Sequence, residues 1–296
     1  MKANKPIPND IVATFSIVGF DPKTEELGIA VQSKFLGVGA VVPWAKAGIG
    51  AVATQSHANT AYGPKGLHLM SSGKSAQETL KLLTEEDDER DLRQVGIVDK
   101  EGNAATFTGE GCYDWAGGRV GHYNSAQGNI LVGPETVEAM GKTFEGTEGS
   151  LAERLLAAID AGQEAGGDRR GRQSAALLVV KEKGGYGGYN DRALDLRVDD
   201  HPEPIRELER IYQLHQLYFA GSKSENIVAI DDGLRSELTQ ELKRLGYLGP
   251  SEAPYSNVAF DDALTSFIHT ENFEEREQVK GKIDLEVVDF MKSLRR

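Results

Sequence analysis

The sequence of 296 residues contains a single cysteine, Cys112. An internal disulfide and a multi-cysteine metal centre are therefore excluded, and the fold owes nothing to bridges. Basic residues are scarce relative to acidic ones, 33 against 46, for a net charge of -13. Nucleic acid and anionic membrane surfaces, which need a Lys and Arg excess, are not expected partners. No apolar run approaches the ~18 residues of a membrane span. The first ten residues, Met1 to Asp10, hold no apolar stretch of signal-peptide length. A cytoplasmic protein that needs neither cofactor nor metal is the expectation. Its length suffices for one large domain, or one of about 200 residues plus a smaller one.

Several familiar signatures fail on inspection. Gly73-Lys74-Ser75 ends like a phosphate-binding loop, but His68 stands where the required glycine belongs. Gly48-Ile49-Gly50-Ala51-Val52-Ala53 has the letters of a dinucleotide motif yet runs on into strand. There is no Gly-x-Ser-x-Gly elbow and no histidine pair at metal-helix spacing. Cys112 has no placed base partner and reads as a packed residue.

Thr14 to Val18 alternates as a half-buried strand, with Thr14, Ser16 and Val18 on one side. Turn chemistry at Asp21 to Thr24 and a strand from Leu27 to Ser33 make a hairpin. Strands are then expected at Gly37–Val42 and Ala47–Thr54, either side of Pro43-Trp44. A helix follows from Tyr62, and a second is announced by the capping box Ser75-Ala76-Gln77-Glu78. Glu85 to Asp88 reads as a solvated loop. Strands at Gln94–Val98, Asn103–Thr108 and Tyr123–Val132 come next. A helix opens at Gly133-Pro134-Glu135, and a longer one at the capping box Ser150-Leu151-Ala152-Glu153. Ala175–Val180 and Ala193–Val198 are closing strands, before a helix with Ile205, Leu208, Ile211, Tyr212, His215 and Phe219 at helical spacing.

Strands, a helix pair, more strands, a second helix pair and closing strands predict an α+β fold. Two sheets face each other with helices outside, a four-layer α-β-β-α sandwich. The domains are expected at 13–221 and 226–296, the second small and mostly helical, with Ala220 to Ser224 as linker.

A strand-start threonine becomes chemically interesting in such a sandwich. Its hydroxyl needs a base, and a free α-amine on the same residue, with a pKa of about 7.7 to 8.0, can serve. Thr14 must then be the first residue, so the Ala13–Thr14 bond must be cut. Small Ala13 leaves room for the hydroxyl to attack its carbonyl.

The segments Thr14-Phe15-Ser16-Ile17-Val18, Leu27-Gly28-Ile29-Ala30-Val31, Gly37 to Ala45, Tyr62-Gly63-Pro64, Leu92 to Gly96, Gln127 to Leu131 and Gly167 to Leu177 together resemble the domain of unknown function 1028, over about residues 13 to 205. That family is classed with the N-terminal-nucleophile hydrolases, which share the four-layer sandwich. In many members the threonine directly follows the initiator methionine, whereas thirteen residues precede Thr14 here. Residues 226 to 296, with Leu245-Gly246-Tyr247 and Glu271 to Arg276, resemble a peptidoglycan-binding domain that often follows this family.

The resulting expectation is an amide hydrolase acting on a small amide or peptide. Thr14 is the nucleophile and Lys34, at the end of the second strand, tunes the amine. Asn129 is an oxyanion donor, and Asp168 orients the nucleophile or braces its loop. Gln55, His57, Gln127, Arg170 and Ser174 are the expected substrate-binding residues, Arg170 reading a carboxylate. A homo-oligomer is compatible with this reading. The rival is a non-catalytic ligand-binding protein that keeps residues 1–13.

Overall fold

Alternation along the first hairpin sets the layers. The computed structural model describes residues 14–250 and 254–295. Strands β1 (Thr14–Asp21) and β2 (Glu26–Ser33) pair in antiparallel register, from Thr14 opposite Ser33 to Asp21 opposite Glu26. On one face, Gly19 and Gly28 lie so close to Phe144, Leu151 and Leu155 that an added Cβ would fall 2.7 Å from a neighbouring side chain at each. Those glycines let two helices settle onto the sheet. The other face carries Val18, Phe20, Leu27, Ile29 and Val31 into an apolar core.

The remaining elements of the first unit are β3 (Pro43–Lys46), β4 (Gly50–Ser56), α1 (Tyr62–Ser71), α2 (Ala76–Glu85), β5 (Arg93–Asp99), β6 (Ala104–Thr108), β7 (Gly117–Gly121), β8 (Asn124–Gly128), α3 (Glu135–Gly146), α4 (Leu151–Glu164), β9 (Ser174–Val180) and β10 (Arg192–Val198). A six-stranded sheet runs β10-β9-β2-β1-β8-β7, and a four-stranded sheet runs β3-β4-β5-β6. Helices α3 and α4 lie on the larger sheet, α1 and α2 on the smaller, and the two sheets pack face to face. The α-β-β-α sandwich is the observed fold. Both capping boxes form, at Ser75 with Glu78 and at Ser150 with Glu153.

Three expectations need correction. Residues 37–42 are not a strand, because Gly37 is left-handed (φ 65°) and opens a short 3-10 turn over Val38–Ala40. Burying Val38 and Val42 needed apolar side chains, not strand geometry. The third strand is instead Pro43–Lys46. Second, Gly117–Gly121 is an unexpected edge strand whose glycines hide its signal, turning through His122 and Tyr123 (φ 61°) into β8. That strand stops at Gly128, since Ile130 turns the chain with φ 54°. Third, Asp87 is not a freely solvated loop residue but half-buried. It accepts hydrogen bonds from Asn59 (3.1 Å), Tyr62 (2.9 Å) and Arg93 (3.0 Å).

The chain divides into two compact units between Arg210 and Ile211, inside α5 (Pro204–Phe219). In the second unit, α6 (Asp232–Arg244), α7 (Asn257–Thr270) and α8 (Leu285–Ser293) join a two-stranded ribbon of β11 (Ile227–Ala229) and β12 (Lys282–Asp284). Their core holds Leu238, Leu242, Phe260, Phe267, Phe273, Val287 and Met291. Within it, buried Arg276 meets Asp284 at 2.7 Å and Glu286 at 2.8 Å, and donates to the carbonyls of Gln216 and Leu217. A guanidinium can be buried there because its donors are matched by carboxylates and helix-end carbonyls. Among the described residues no helix is long and apolar enough to cross a membrane.

Candidate active site at the start of the first strand

Pairing across the larger sheet brings three hydroxyl residues into one row, since Thr14 lies opposite Ser33 and Ser33 opposite Ser174. All three are fully buried. On the other flank of Thr14, the Asn129 N–H donates to the Thr14 carbonyl (3.0 Å), and Gln55 Nε2 reaches that carbonyl from the smaller sheet (3.2 Å). Two donors on one carbonyl fix the peptide that follows Thr14. Cleavage of Ala13–Thr14 concerns residues 1–13, which lie outside the described residues.

Gln55 belongs to a chain of buried amides. Its Oε1 accepts from Ser16 Oγ (2.6 Å) and its Nε2 donates to Gln94 Oε1 (2.8 Å). Gln94 Oε1 also accepts from Asn129 Nδ2 (2.9 Å). Gln94 Nε2 donates to the carbonyls of Gly128 (2.8 Å) and Gly117 (3.2 Å) and to Thr108 Oγ1 (2.9 Å). Gln127 bonds Ser16 Oγ (2.7 Å) and Ser125 Oγ (2.8 Å) and lies flat against Gly96, where no side chain would fit. Unsatisfied amides at such depth would each cost a few kcal/mol, roughly 1–3, so these bonds are obligatory.

This network corrects several roles expected from sequence. Gln127 is locked into the interior, and so is not a substrate contact. Ser174 has its hydroxyl committed, accepting from the Val38 N–H (3.1 Å) and donating to the Phe35 carbonyl. Lys34 is exposed, with its ammonium 3.4 Å from the Arg172 carbonyl, where it cannot act as a desolvated cation. Asn129 has one of its two amide N–H groups committed to Gln94 Oε1, and its other amide atom, Oδ1, is an acceptor. His57 sits half-buried past the end of β4, and its carbonyl accepts from Arg93 (2.8 Å).

Asp168 is buried and pairs with Arg170 through Nη2 (2.7 Å) and Nε (3.1 Å) while accepting from the Lys34 N–H (3.2 Å). The flanking main chain bonds the segment after Asn129, through Val132 N–H to the Gly167 carbonyl and Arg169 N–H to the Ile130 carbonyl. The loop thus ties down the residues that follow both strand neighbours of Thr14. Arg170 is engaged by Asp168. Burial pushes the Cys112 thiol up, which removes it further from a nucleophile's thiolate.

Sequence reasoning passed over Ser33, Gln94 and Ser16. Ser33 was within reach: a four-residue turn over Pro22 to Glu25 forces the Thr14–Ser33 register. A cavity of about 270 Å³ lies elsewhere, lined by Asn59, Tyr62, Lys65, Leu83, Glu86, Asp87 and Asp88. It is open and acidic, and none of the expected site residues lines it.

The model of a family of unknown function, DUF1028, matches residues 14–208. The chain belongs to this family. A crystal structure of a Silicibacter pomeroyi protein of the same family matches with a TM-score of 0.63 and 32% identity, covering 69% of this chain and 89% of that one. Residues 218–291 match a second model, described as "Putative peptidoglycan binding domain". No curated protein matches the chain.

Proposed function

We propose that this DUF1028 protein is an amide hydrolase of the N-terminal-nucleophile type, with Thr14 as nucleophile once residues 1–13 are removed. The observation that carries this reading is the position of Thr14 at the head of a central strand. It faces the space between two sheets, between Ser33 and Asn129. In the proposed reaction the Thr14 hydroxyl attacks the amide carbonyl and passes its proton to its own α-amine. The amine returns that proton to the leaving nitrogen, and water then hydrolyses the acyl-threonine ester. Gln55 and the Asn129 N–H hold the Thr14 carbonyl, keeping hydroxyl and amine in fixed relation. Asp168 and Arg170 keep the adjoining loop in place. Substrates are small amides or short peptides met in the cytoplasm. The resemblance of residues 218–291 to a peptidoglycan-binding domain makes cell-wall-type peptides one class to assay.

The test is the first residue of the active protein. Intact mass should show a chain starting at Thr14. Thr14→Ser should retain some processing and turnover on a panel of small amides and acyl-amino acids, and Thr14→Ala should abolish turnover. If cleavage is autocatalytic, Thr14→Ala also keeps residues 1–13. Full activity in a chain beginning at Met1 overturns the mechanism. The complete burial of Thr14 favours a second reading, a non-catalytic ligand-binding protein. An inactive chain that starts at Met1 would leave that reading ahead.

A further inference from the structure

The amide chain behind Thr14 has a direction, and the direction ends on an atom without a partner. Main-chain carbonyls only accept, so the end of Gln94 that meets Gly117 and Gly128 must be its NH₂. Its other end is therefore the oxygen, which receives the NH₂ groups of both Gln55 and Asn129. Asn129 cannot flip without setting oxygen against oxygen. Its Oδ1 is consequently fixed as an acceptor, and that atom is buried with no hydrogen-bond partner. A fully buried carbonyl oxygen held this way is costly unless a donor arrives in the working state.

Strand geometry says where such a donor can come from. Within an antiparallel strand the N–H and C=O of one residue leave from the same edge. The Thr14 carbonyl faces the strand carrying Asn129, so the Thr14 nitrogen faces it too. We propose that Asn129 is a positioning residue whose Oδ1 accepts a hydrogen bond from the free α-amine of Thr14, holding that amine beside the hydroxyl it must deprotonate. This inference rests on the N-terminal-nucleophile reading and reverses the donor role that the residue type alone implies.

Near this end of β1 the charged and titratable groups are Lys34, His57, Arg93, Asp168 and Arg170, with Asp160 and Glu164 on α4, whose Gly162 packs against Phe15. Lys34 points to the Arg172 carbonyl, Arg93 pairs with Asp87, and Asp168 with Arg170. A change at Asn129 leaves these pairings intact, so a shift in the amine reports Asn129 itself.

The experiment uses the full chain cut to begin at Thr14 with a cleavable tag, so that no self-processing is required. The α-amine, labelled with ¹⁵N-threonine, is titrated by NMR in the native protein and in Asn129→Ala and Asn129→Leu, the latter keeping most of the volume. An acceptor favours the protonated amine, so both variants should lower its pKa by about one unit. The acid limb of any turnover should move down equally. An unchanged pKa in a folded variant overturns the proposal. A crystal structure of the chain starting at Thr14 needs no substitution and should place the amine about 3 Å from Oδ1. An amine directed elsewhere overturns it as well. Active protein that does not begin at Thr14 defeats the hydrolase reading alone, because the titration is made on the tag-cleaved chain.

Discussion

Toward the β1–β2 turn, the space between the sheets is filled by Val18, Phe20, Leu27, Ile29 and Val98, packed with other apolar side chains. Toward the start of β1 it is filled by Ser16, Gln55, Gln94, Gln127 and Asn129, all fully buried and bonded to one another. The two ends hold the same sheets together by different physics. Apolar burial is non-directional and contributes about 25 cal/mol per Å², so it stabilises without dictating where any one atom sits. Amides at the same depth add little net stability, because they lost water bonds of similar strength, but they fix orientation sharply. The polar end surrounds Thr14, where orientation matters and extra stability does not.

The largest expected effect comes from breaking the hub. Gln94→Leu removes the acceptor shared by Gln55 and Asn129 and the side-chain donor to the Gly117 and Gly128 carbonyls. It should cost about 3 to 5 kcal/mol in urea unfolding. A loss under about 1 kcal/mol would show that these bonds do not hold the polar end. At the apolar end, Ile29→Val should cost about 1 kcal/mol and leave any turnover unchanged. Combined with Gln94→Leu it should be additive, since the two side chains share no partner.

A smaller effect concerns the rim of the polar end, where Arg93 joins Asp87 to the His57 carbonyl. Burial raises the Asp87 carboxyl, but hydrogen bonds from Arg93, Asn59, the Glu89 N–H and Tyr62 outweigh it and bring the carboxyl to about 2 from 3.8. Burial and the neighbouring carboxylate push the Tyr62 hydroxyl up in turn. For a depressed carboxyl, stability is fully present above the unfolded value of 3.8 and is lost as pH falls through about 2. Asp87→Asn should therefore flatten the dependence of unfolding free energy on pH across that window. An unaltered slope would mean that other carboxylates dominate acid unfolding.

Local signals located the elements well where the cause was local. Ser75 and Ser150 each sit three residues before a glutamate, and both boxes close. The apolar run at Ala175–Val180 became a central, fully buried strand. Gly117–Gly121 carried too little side chain to read as a strand and exists because β8 offers it an edge. Thr14 and Asp168 were visible as candidates because residue type and position made them so. Lys34 and Ser174 looked equally suitable, yet one points to solvent and the other is spent on a turn.

What the sequence determined alone was the order of strands and helices, their caps, and the alternation that puts Thr14 between the sheets. These depend on residues within one or two turns of each other. The tertiary structure alone decided which end of each amide is donor and which acceptor. That polarity passes from Gly117 and Gly128 through Gln94 to Asn129, joining residues 23, 34 and 35 positions apart across two sheets. Glutamine and asparagine present a donor and an acceptor of nearly equal shape, so only the carbonyls they meet on folding can choose between them.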